Sequence, residues 1–309
     1  MRKVLITEEI DELLIQGLTS LGYACDYNPR ISQQEISNII RDYVGIIVAT
    51  RILVDQHLID QATSLKFIAR AGSGMENIDV AYATSKNIIS LNSPEGNANS
   101  VGEHTLGLLL AMFHNIAKSS LETSMEEWRV YENRVHELEG RTIAIIGYGN
   151  TGKSFARKLQ PFNMNVLAYD KYLSNYGDDY VRQVTMEEVL SDAEIVSFHI
   201  PLTSETMWMV NKAYLQRFKH NIHLINTSRG KIIRHLDLLQ CIYSNKIAGA
   251  ALDVFENENF SEHSEEERTI FQGLIKSGKV LFTPHIAGKS FESKKKIAET
   301  LLKKISMIG

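Results

Sequence analysis

The chemistry in this chain gathers at a few junctions between strand-like runs and loops. Residues 142–154 pass from a β-branched run into Gly147-Tyr148-Gly149-Asn150-Thr151-Gly152 and on into a helical pattern. Gly147, Gly149 and Gly152 satisfy the dinucleotide pattern GxGxxG; Gly147, Gly152, Lys153 and Ser154 satisfy the P-loop pattern as well. Both motifs rest on the same physics, since amides at a helix N-terminus lack intrahelical partners and point at a phosphate. The dinucleotide reading also requires a second strand ending in an acid about 20 residues on. The run from Asn165 to Tyr169, followed by Asp170, supplies it. A carboxylate there accepts hydrogen bonds from ribose hydroxyls and repels a phosphate, which favours NAD over NADP. The P-loop reading needs an acidic magnesium ligand after an apolar strand, and Asp253 after Ala248 to Leu252 meets that need.

Three downstream strand ends carry polar groups: Asn226 to Gly230, Asp253 to Glu258, and Thr283 to Gly288. Ligands of open parallel sheets gather at the carboxyl ends of the strands. Arg229, with its rigid fork of donors, suits a carboxylate. His285 carries an imidazole, the side chain best suited to proton exchange. Taken singly, each has a plainer reading: Arg229 as a surface cation, Glu258 as part of a solvated acidic loop, His285 as a hydrogen-bonded structural histidine.

The elements that must position these groups follow from the hydrophobic pattern. Nine short β-branched runs alternate with helical patterns, beginning near Lys3, Val44, Lys66, Thr142, Asn165, Glu194, Ile222, Ala248 and Val280. That rhythm predicts parallel sheets with crossover helices. Several runs are apolar at consecutive positions, as strands covered on both faces are. Nine runs fit two doubly wound sheets better than one. The turn-rich stretch from Leu91 to Ser100 reads as a domain boundary before a helix from Val101 to about Lys118. Ser290 to Ile308 reads as an amphipathic terminal helix, with Ile297, Leu301, Leu302, Ile305 and Ile308 on its apolar face.

At 309 residues the chain should form about two domains, and 44% hydrophobic against 23% charged residues excludes general disorder. The balance of 33 Lys+Arg and 37 Asp+Glu, a net charge of -4, lacks the basic footprint of a nucleic-acid binder. Cys25 and Cys241 offer neither a disulfide framework nor zinc spacing, so no metal site is expected. The first residues turn acidic at Glu8 and Glu9 before a signal peptide could form, and the longest apolar run, Leu106 to Phe113, is too short to span a membrane. The expectation is a soluble, cytoplasmic protein.

Taken together, the segments Gly147 to Gly152, Asn226 to Gly230, Ala251 to Glu258 and Thr283 to Gly288 resemble the D-isomer-specific 2-hydroxyacid dehydrogenase family. Arg70 to Val80 and Asn99 to Gly107 look like that family's substrate loop and first interdomain crossing, so the likeness covers nearly the whole chain. It decides against the P-loop. The fold it implies is α/β, with two doubly wound parallel-sheet domains: a Rossmann-like cofactor domain, residues 99–286, inserted into a flavodoxin-like substrate domain, residues 1–98 plus 287–309. The activity it implies is NAD-dependent hydride transfer between NAD(H) and the C2 carbon of a D-2-hydroxy acid or 2-keto acid.

By the same resemblance Arg229 binds the substrate carboxylate and polarises the keto oxygen, and His285 exchanges a proton with the substrate oxygen. Glu258 pairs with His285, favours its imidazolium form and fixes the ring. Glu258 is preferred to Glu256 because 29 positions separate it from Arg229, the spacing the resemblance leads one to expect. Backbone amides at Ser73 and Gly74 contact the substrate carboxylate. Gly147, Gly149 and Gly152 form the phosphate turn, and Asn150, Thr151 and Asp170 hold the adenine side of NAD. Thr227, Arg229, Asp253 and Gly288 hold the nicotinamide side, with Ser228 also on the cofactor and His199 a wall of its pocket. Members of the family pair through their cofactor domains, so a homodimer is expected, with residues 100–135 as its surface.

The motif from Arg70 to Val80 looks closest to the branch acting on 3-phosphoglycerate and 3-phosphohydroxypyruvate in serine biosynthesis. That branch places a phosphate-binding arginine directly after the strand where this chain has Ala49, and Arg51, two positions later, becomes the candidate. Asn259 stands where the family has proline, and the loop from Glu256 to Lys279 is longer and more acidic than expected. With Gly309 last, no C-terminal regulatory domain is expected. The alternatives are a glyoxylate or hydroxypyruvate reductase, a non-catalytic NAD sensor of the same fold, and a P-loop nucleotide hydrolase.

Overall fold

A computed structural model describes residues 2–308. The chain divides into two units, Met1–Asn99 with Lys289–Gly309, and Ser100–Gly288. Along the first stretch run β1 (Arg2–Ile6), α1 (Glu12–Ser20), β2 (Tyr23–Tyr27), α2 (Gln33–Ile39) and β3 (Gly45–Val48). They are followed by α3 (Gln56–Gln61), β4 (Phe67–Arg70), α4 (Val80–Ser85) and β5 (Ile89–Leu91). Asp11, Ser32, Asp55 and Asp79 cap the four helices, each side chain accepting a hydrogen bond from a first-turn amide.

These strands form a parallel sheet of order β2-β1-β3-β4-β5, the flavodoxin-type doubly wound arrangement. Its consecutive apolar residues divide between two cores. Leu5, Ile46, Val48 and Ile68 face one layer of helices, while Val4, Ile6, Ile47, Phe67 and Ala69 face the other.

The chain continues through α5 (Pro94–Phe113), α6 (Ile116–Ser124), β6 (Thr142–Ile146), α7 (Asn150–Leu159) and β7 (Asn165–Tyr169). Next come β8 (Val181–Gln183), α8 (Met186–Asp192), β9 (Ile195–Phe198), α9 (Lys212–Gln216) and β10 (Ile222–Asn226). The last elements are α10 (His235–Tyr243), β11 (Ile247–Leu252), α11 (Glu265–Lys276), β12 (Val280–Phe282) and α12 (Phe291–Ser306). The second sheet is parallel throughout, of order β12-β11-β10-β9-β6-β7-β8, a Rossmann order extended by one strand. Its winding reverses between β6 and β9, so the glycine turn after β6 lies at the switch point where such sheets bind ligands. On β6, Ile143 and Ile145 enter one core and Ala144 and Ile146 the other.

Helix α12 belongs to the first unit. Its Ala298, Leu301 and Ile305 pack with Leu14 and Leu18 of α1 over Val4 and Ile6. Burying a leucine such as Leu301 contributes roughly 1.5–3 kcal/mol.

Several local expectations change. The turn-rich boundary is mostly helix, because α5 begins at Pro94, a residue whose missing N–H costs nothing in a first helical turn. It stops at Phe113, short of Lys118, and Asn115 takes a left-handed φ of 49° before α6. Much of the acidic stretch after Glu256 is α11, opened by a capping box between Ser264 and Glu267. Glu265, Glu266 and Glu267 fall in its first turn, where the helix dipole favours negative charge. Cys241 is buried and Cys25 half-buried. Among the described residues no helix is long and apolar enough to cross a membrane, and no cluster of three or more His, Cys, Asp or Glu could hold a metal.

Candidate active site

β6 delivers the chain into Gly147, whose φ of +92° suits glycine, and a Cβ there would lie 2.5 Å from the His199 carbonyl oxygen. The turn leads into α7, whose N-cap is Gly149 and which has no side-chain cap. The first-turn amides at Asn150 and Thr151 are therefore not claimed by a capping side chain, and buried Gly152 lies one residue further along the helix. This is a donor set that fits a pyrophosphate.

Asp170, at the end of β7, turns its carboxylate onto the same loop. Its Oδ2 accepts from the Tyr148 amide at 2.8 Å, and its Oδ1 from the Tyr172 and Leu173 amides at 2.9 and 3.0 Å. A carboxylate has about four acceptor positions, so one on Oδ2 is left for a ribose hydroxyl. The neighbouring Lys171 forms an ion pair with Glu205. His199 lies behind the glycine turn, with its ring tilted against Phe155 and its Nε2 2.9 Å from the Ser197 hydroxyl. Burial lowers its pKa to about 3, and its Nδ1 has no hydrogen-bond partner among the described residues. It is a neutral packing residue, unsuited to proton exchange.

The arginine loop is built on Asn226, fully buried at the end of β10. Its Oδ1 accepts from the Ser228 amide and hydroxyl at 3.0 and 2.7 Å, and its Nδ2 donates to the Arg229 carbonyl at 3.0 Å. Thr227 and Ser228 are nearly buried, and the Arg229 guanidinium donates to the Ser228 carbonyl at 2.7 Å.

β11 ends before Asp253, which is 1% exposed. Its Oδ1 accepts from the Thr283 hydroxyl at 2.6 Å and the Ile286 amide at 2.9 Å, and its Oδ2 from the Ala287 amide at 2.9 Å. Burial alone would raise its pKa, but these bonds and His104 outweigh that and hold the carboxyl below its usual range. The expected nicotinamide contact is thus turned largely inward, onto the loop that carries His285 and Gly288.

His285 itself adopts φ 54°, uncommon for a residue with a side chain, and its amide donates to the Asp253 carbonyl at 2.7 Å. Its Nδ1 lies 2.8 Å from Glu258 Oε2. Partial burial pushes the Glu258 carboxyl up, but the hydrogen bond and charge of His285, with the Phe255 amide, pull it below the ordinary range. Glu256 is engaged elsewhere. It accepts from Trp208 Nε1 and the His235 amide, both at 2.8 Å, and burial raises its pKa.

In the first unit, the loop after β4 carries Ser73 and Gly74. The Ser73 hydroxyl donates to Asn97 Oδ1 at 2.8 Å and its carbonyl accepts from Asn92 Nδ2 at 2.7 Å, so the loop is pinned by residues just ahead of and within α5. Arg51 is engaged within its own unit. Its guanidinium donates to the carbonyls of Ile31, Thr7 and Pro29 at 2.6, 2.7 and 3.0 Å, tying three loops at one end of the sheet with three of its five N–H groups. Asn226 and Thr283 open two of the expected motifs, but the sequence alone assigns neither a role of its own. His104 carries no local signal, because its partner Thr283 is 179 residues away.

Residues 106–287 match the NAD binding domain of the D-isomer specific 2-hydroxyacid dehydrogenases. The chain belongs to this family. It is 32% identical over 293 residues to the D-3-phosphoglycerate dehydrogenase of Archaeoglobus fulgidus, covering 94% of this chain and 54% of that protein. It is 32% identical over 303 residues to the hydroxypyruvate reductase of Thermotoga maritima, covering 98% and 97%. The chain thus spans about half the length of the phosphoglycerate dehydrogenases it matches. Among solved structures, a D-lactate dehydrogenase from Aquifex aeolicus, complexed with NAD and lactic acid, superposes with a TM-score of 0.83 over 99% of this chain and 94% of that one at 24% identity, a likeness of fold. The cofactor domain is an NAD-binding domain, and the glycine turn, the uncapped α7 and Asp170 offer donors and an acceptor of the kind a dinucleotide fits.

Proposed function

We propose that the protein is an NAD-dependent oxidoreductase acting on the C2 carbon of a small D-2-hydroxy acid or its 2-keto acid. The observation that carries this reading is the 2.8 Å contact between His285 Nδ1 and Glu258 Oε2. With Nδ1 donating to the carboxylate, Nε2 is the nitrogen left to exchange a proton with the substrate oxygen. Bound NAD would supply the hydride acceptor for C2 in oxidation, and bound NADH the hydride donor in reduction. As the C2 hydroxyl is oxidised, His285 takes its proton at Nε2; in reduction the same nitrogen returns a proton to the keto oxygen. Arg229 holds the carboxylate and polarises the C2 oxygen through its fork of donors. The backbone amides at Ser73 and Gly74 are the first unit's donors for a substrate carboxylate. Gly147, Gly149, Asn150, Thr151 and Gly152 hold the pyrophosphate and adenine side of the cofactor with Asp170, and Thr227, Ser228 and Gly288 its nicotinamide side. His199 backs the turn.

The commitment of Arg51 to three carbonyls supports an unphosphorylated substrate such as hydroxypyruvate or glyoxylate. 3-Phosphohydroxypyruvate, and with it a place in serine biosynthesis, is the second reading, favoured by the likeness to D-3-phosphoglycerate dehydrogenases. The test follows NADH consumption with glyoxylate, hydroxypyruvate, 3-phosphohydroxypyruvate and 2-ketoglutarate. His285→Ala should lose roughly 100- to 10,000-fold in rate. NADH binding without turnover of any substrate would favour a sensor instead.

A cytoplasmic homodimer completes the proposal. Leu121, Met125, Trp128, Val130 and Tyr131 stand exposed along α6 and the segment after it, Trp128 at 81%, an apolar strip that a second copy would cover. Sedimentation of the parent chain beside Leu121→Glu tests it, and a parent that sediments as a monomer would refute it.

A further inference from the structure

Three side chains on one stretch of α5 reach the loops that carry the proposed catalytic groups. The Ser100 hydroxyl donates to the Ala287 carbonyl at 2.7 Å. One helical turn further, His104 Nε2 lies 3.0 Å from the Thr283 hydroxyl and 3.5 Å from Asp253 Oδ1. Thr105, fully buried, lies 3.1 Å from the Thr227 hydroxyl.

The direction of each bond follows from the protons available. Thr283 has one hydroxyl proton and gives it to Asp253 Oδ1 at 2.6 Å, so its oxygen can only accept from His104, which must carry a proton on Nε2. Thr105 gives its proton to the Val101 carbonyl at 2.7 Å, so Thr227 donates to Thr105. A directed chain therefore runs from His104 through Thr283 to Asp253. The Asp253 carboxylate in turn accepts from the amides of Ile286 and Ala287, the two residues directly after His285, whose own backbone is left-handed.

We infer that His104 is a positioning residue. Its Nε2–H orders Thr283 and Asp253, and through them holds His285 in the backbone conformation that brings its ring to Glu258. This inference rests on the proposed hydride-transfer reading of the site. Small displacements of a catalytic group are costly, about 100-fold for roughly 1 Å.

The experiment compares steady-state reduction of the best 2-keto acid by the parent, His104→Leu, His104→Gln, Thr283→Val, the His104→Leu/Thr283→Val double variant and His285→Ala, with NADH affinity measured by fluorescence. His104→Leu should lower kcat about 10- to 100-fold and leave NADH affinity within about threefold. His104→Gln, which keeps an N–H donor at similar reach, should recover most of the rate. Thr283→Val breaks the same chain with a smaller change of shape, and the double variant should be no slower than the worse single one. The inference is overturned if His104→Leu and Thr283→Val retain the parental kcat while His285→Ala is inactive, if the glutamine and leucine variants lose rate equally, or if the two losses multiply. Retained activity in His285→Ala would instead overturn the underlying reading of the site.

Discussion

The backbone at Gly230 runs so close to Phe255 that a Cβ on the glycine would stand 1.7 Å from the Phe255 carbonyl oxygen. The loop presenting Arg229 and the loop leading to Glu258 therefore pack backbone against backbone, with no side chain between them. Gly230→Ala should destabilise the protein by about 3 kcal/mol or more and reduce turnover by moving both loops. Denaturant unfolding and kcat measured together check this; an alanine variant with parental stability would show that the loops separate easily.

Replacing Glu258 by glutamine keeps a hydrogen-bond acceptor for His285 but removes the charge. The ring then loses its ionic partner, so keto-acid reduction should run about 10-fold slower near neutrality. The value of kcat/KM in the reductive direction reports it, and an unchanged value would deny Glu258 this influence.

On the proposed reading, Asp170 governs the choice between NAD and NADP. Its carboxylate has an acceptor position free for a ribose hydroxyl, and its charge opposes a phosphate on that ribose. Asp170→Asn keeps an oxygen for the Tyr172 and Leu173 amides and should narrow the preference for NADH over NADPH by about 10-fold. Comparing kcat/KM for the two cofactors decides it; an unchanged ratio would assign the selectivity to other residues.

Two buried histidines and the half-buried His223 should make the fold sensitive to acid. Burial lowers His199 to about 3 and His235 to about 4, and burial with the nearby charges of Arg141 and His136 lowers His223 to about 4, all from an ordinary 6.5. Below pH 6.5 the unfolded chain binds protons that the folded chain refuses, so stability falls as pH drops from there toward 4. Each histidine adds a slope of up to about 1.4 kcal/mol per pH unit. Denaturant midpoints should therefore fall across this window, and His223→Phe should flatten the slope by about one third; an unchanged slope would remove His223 from the account.

Strands covered on both faces are legible in the sequence because a short, unbroken apolar run bounded by turn residues fits little besides a strand interior to its sheet. β2, β5 and β8 are not, since each lies at a sheet edge or beside one open face, and each carries exposed residues such as Tyr27, Ile89, Arg182 and Gln183. Arg229 and His285 stand in contiguous motifs and can be read directly. Separating Glu258 from Glu256 on residue type alone is impossible, because what distinguishes them is the ring each carboxylate meets. The role of Arg51 is hidden because its three carbonyl partners come from loops that only the fold assembles.

The first unit is assembled from both ends of the chain, and α12 supplies part of the cover for Val4 and Ile6. On a ribosome, the sheet synthesised first must then wait with that face incompletely covered while the whole inserted unit emerges, roughly 10–40 s at about 5–20 residues per second. The inserted unit, continuous in sequence, can close its own cores in that interval. The sheet of the first unit is thus finished only after the inserted unit has emerged, and throughout the wait it exposes apolar surface of the kind chaperones bind.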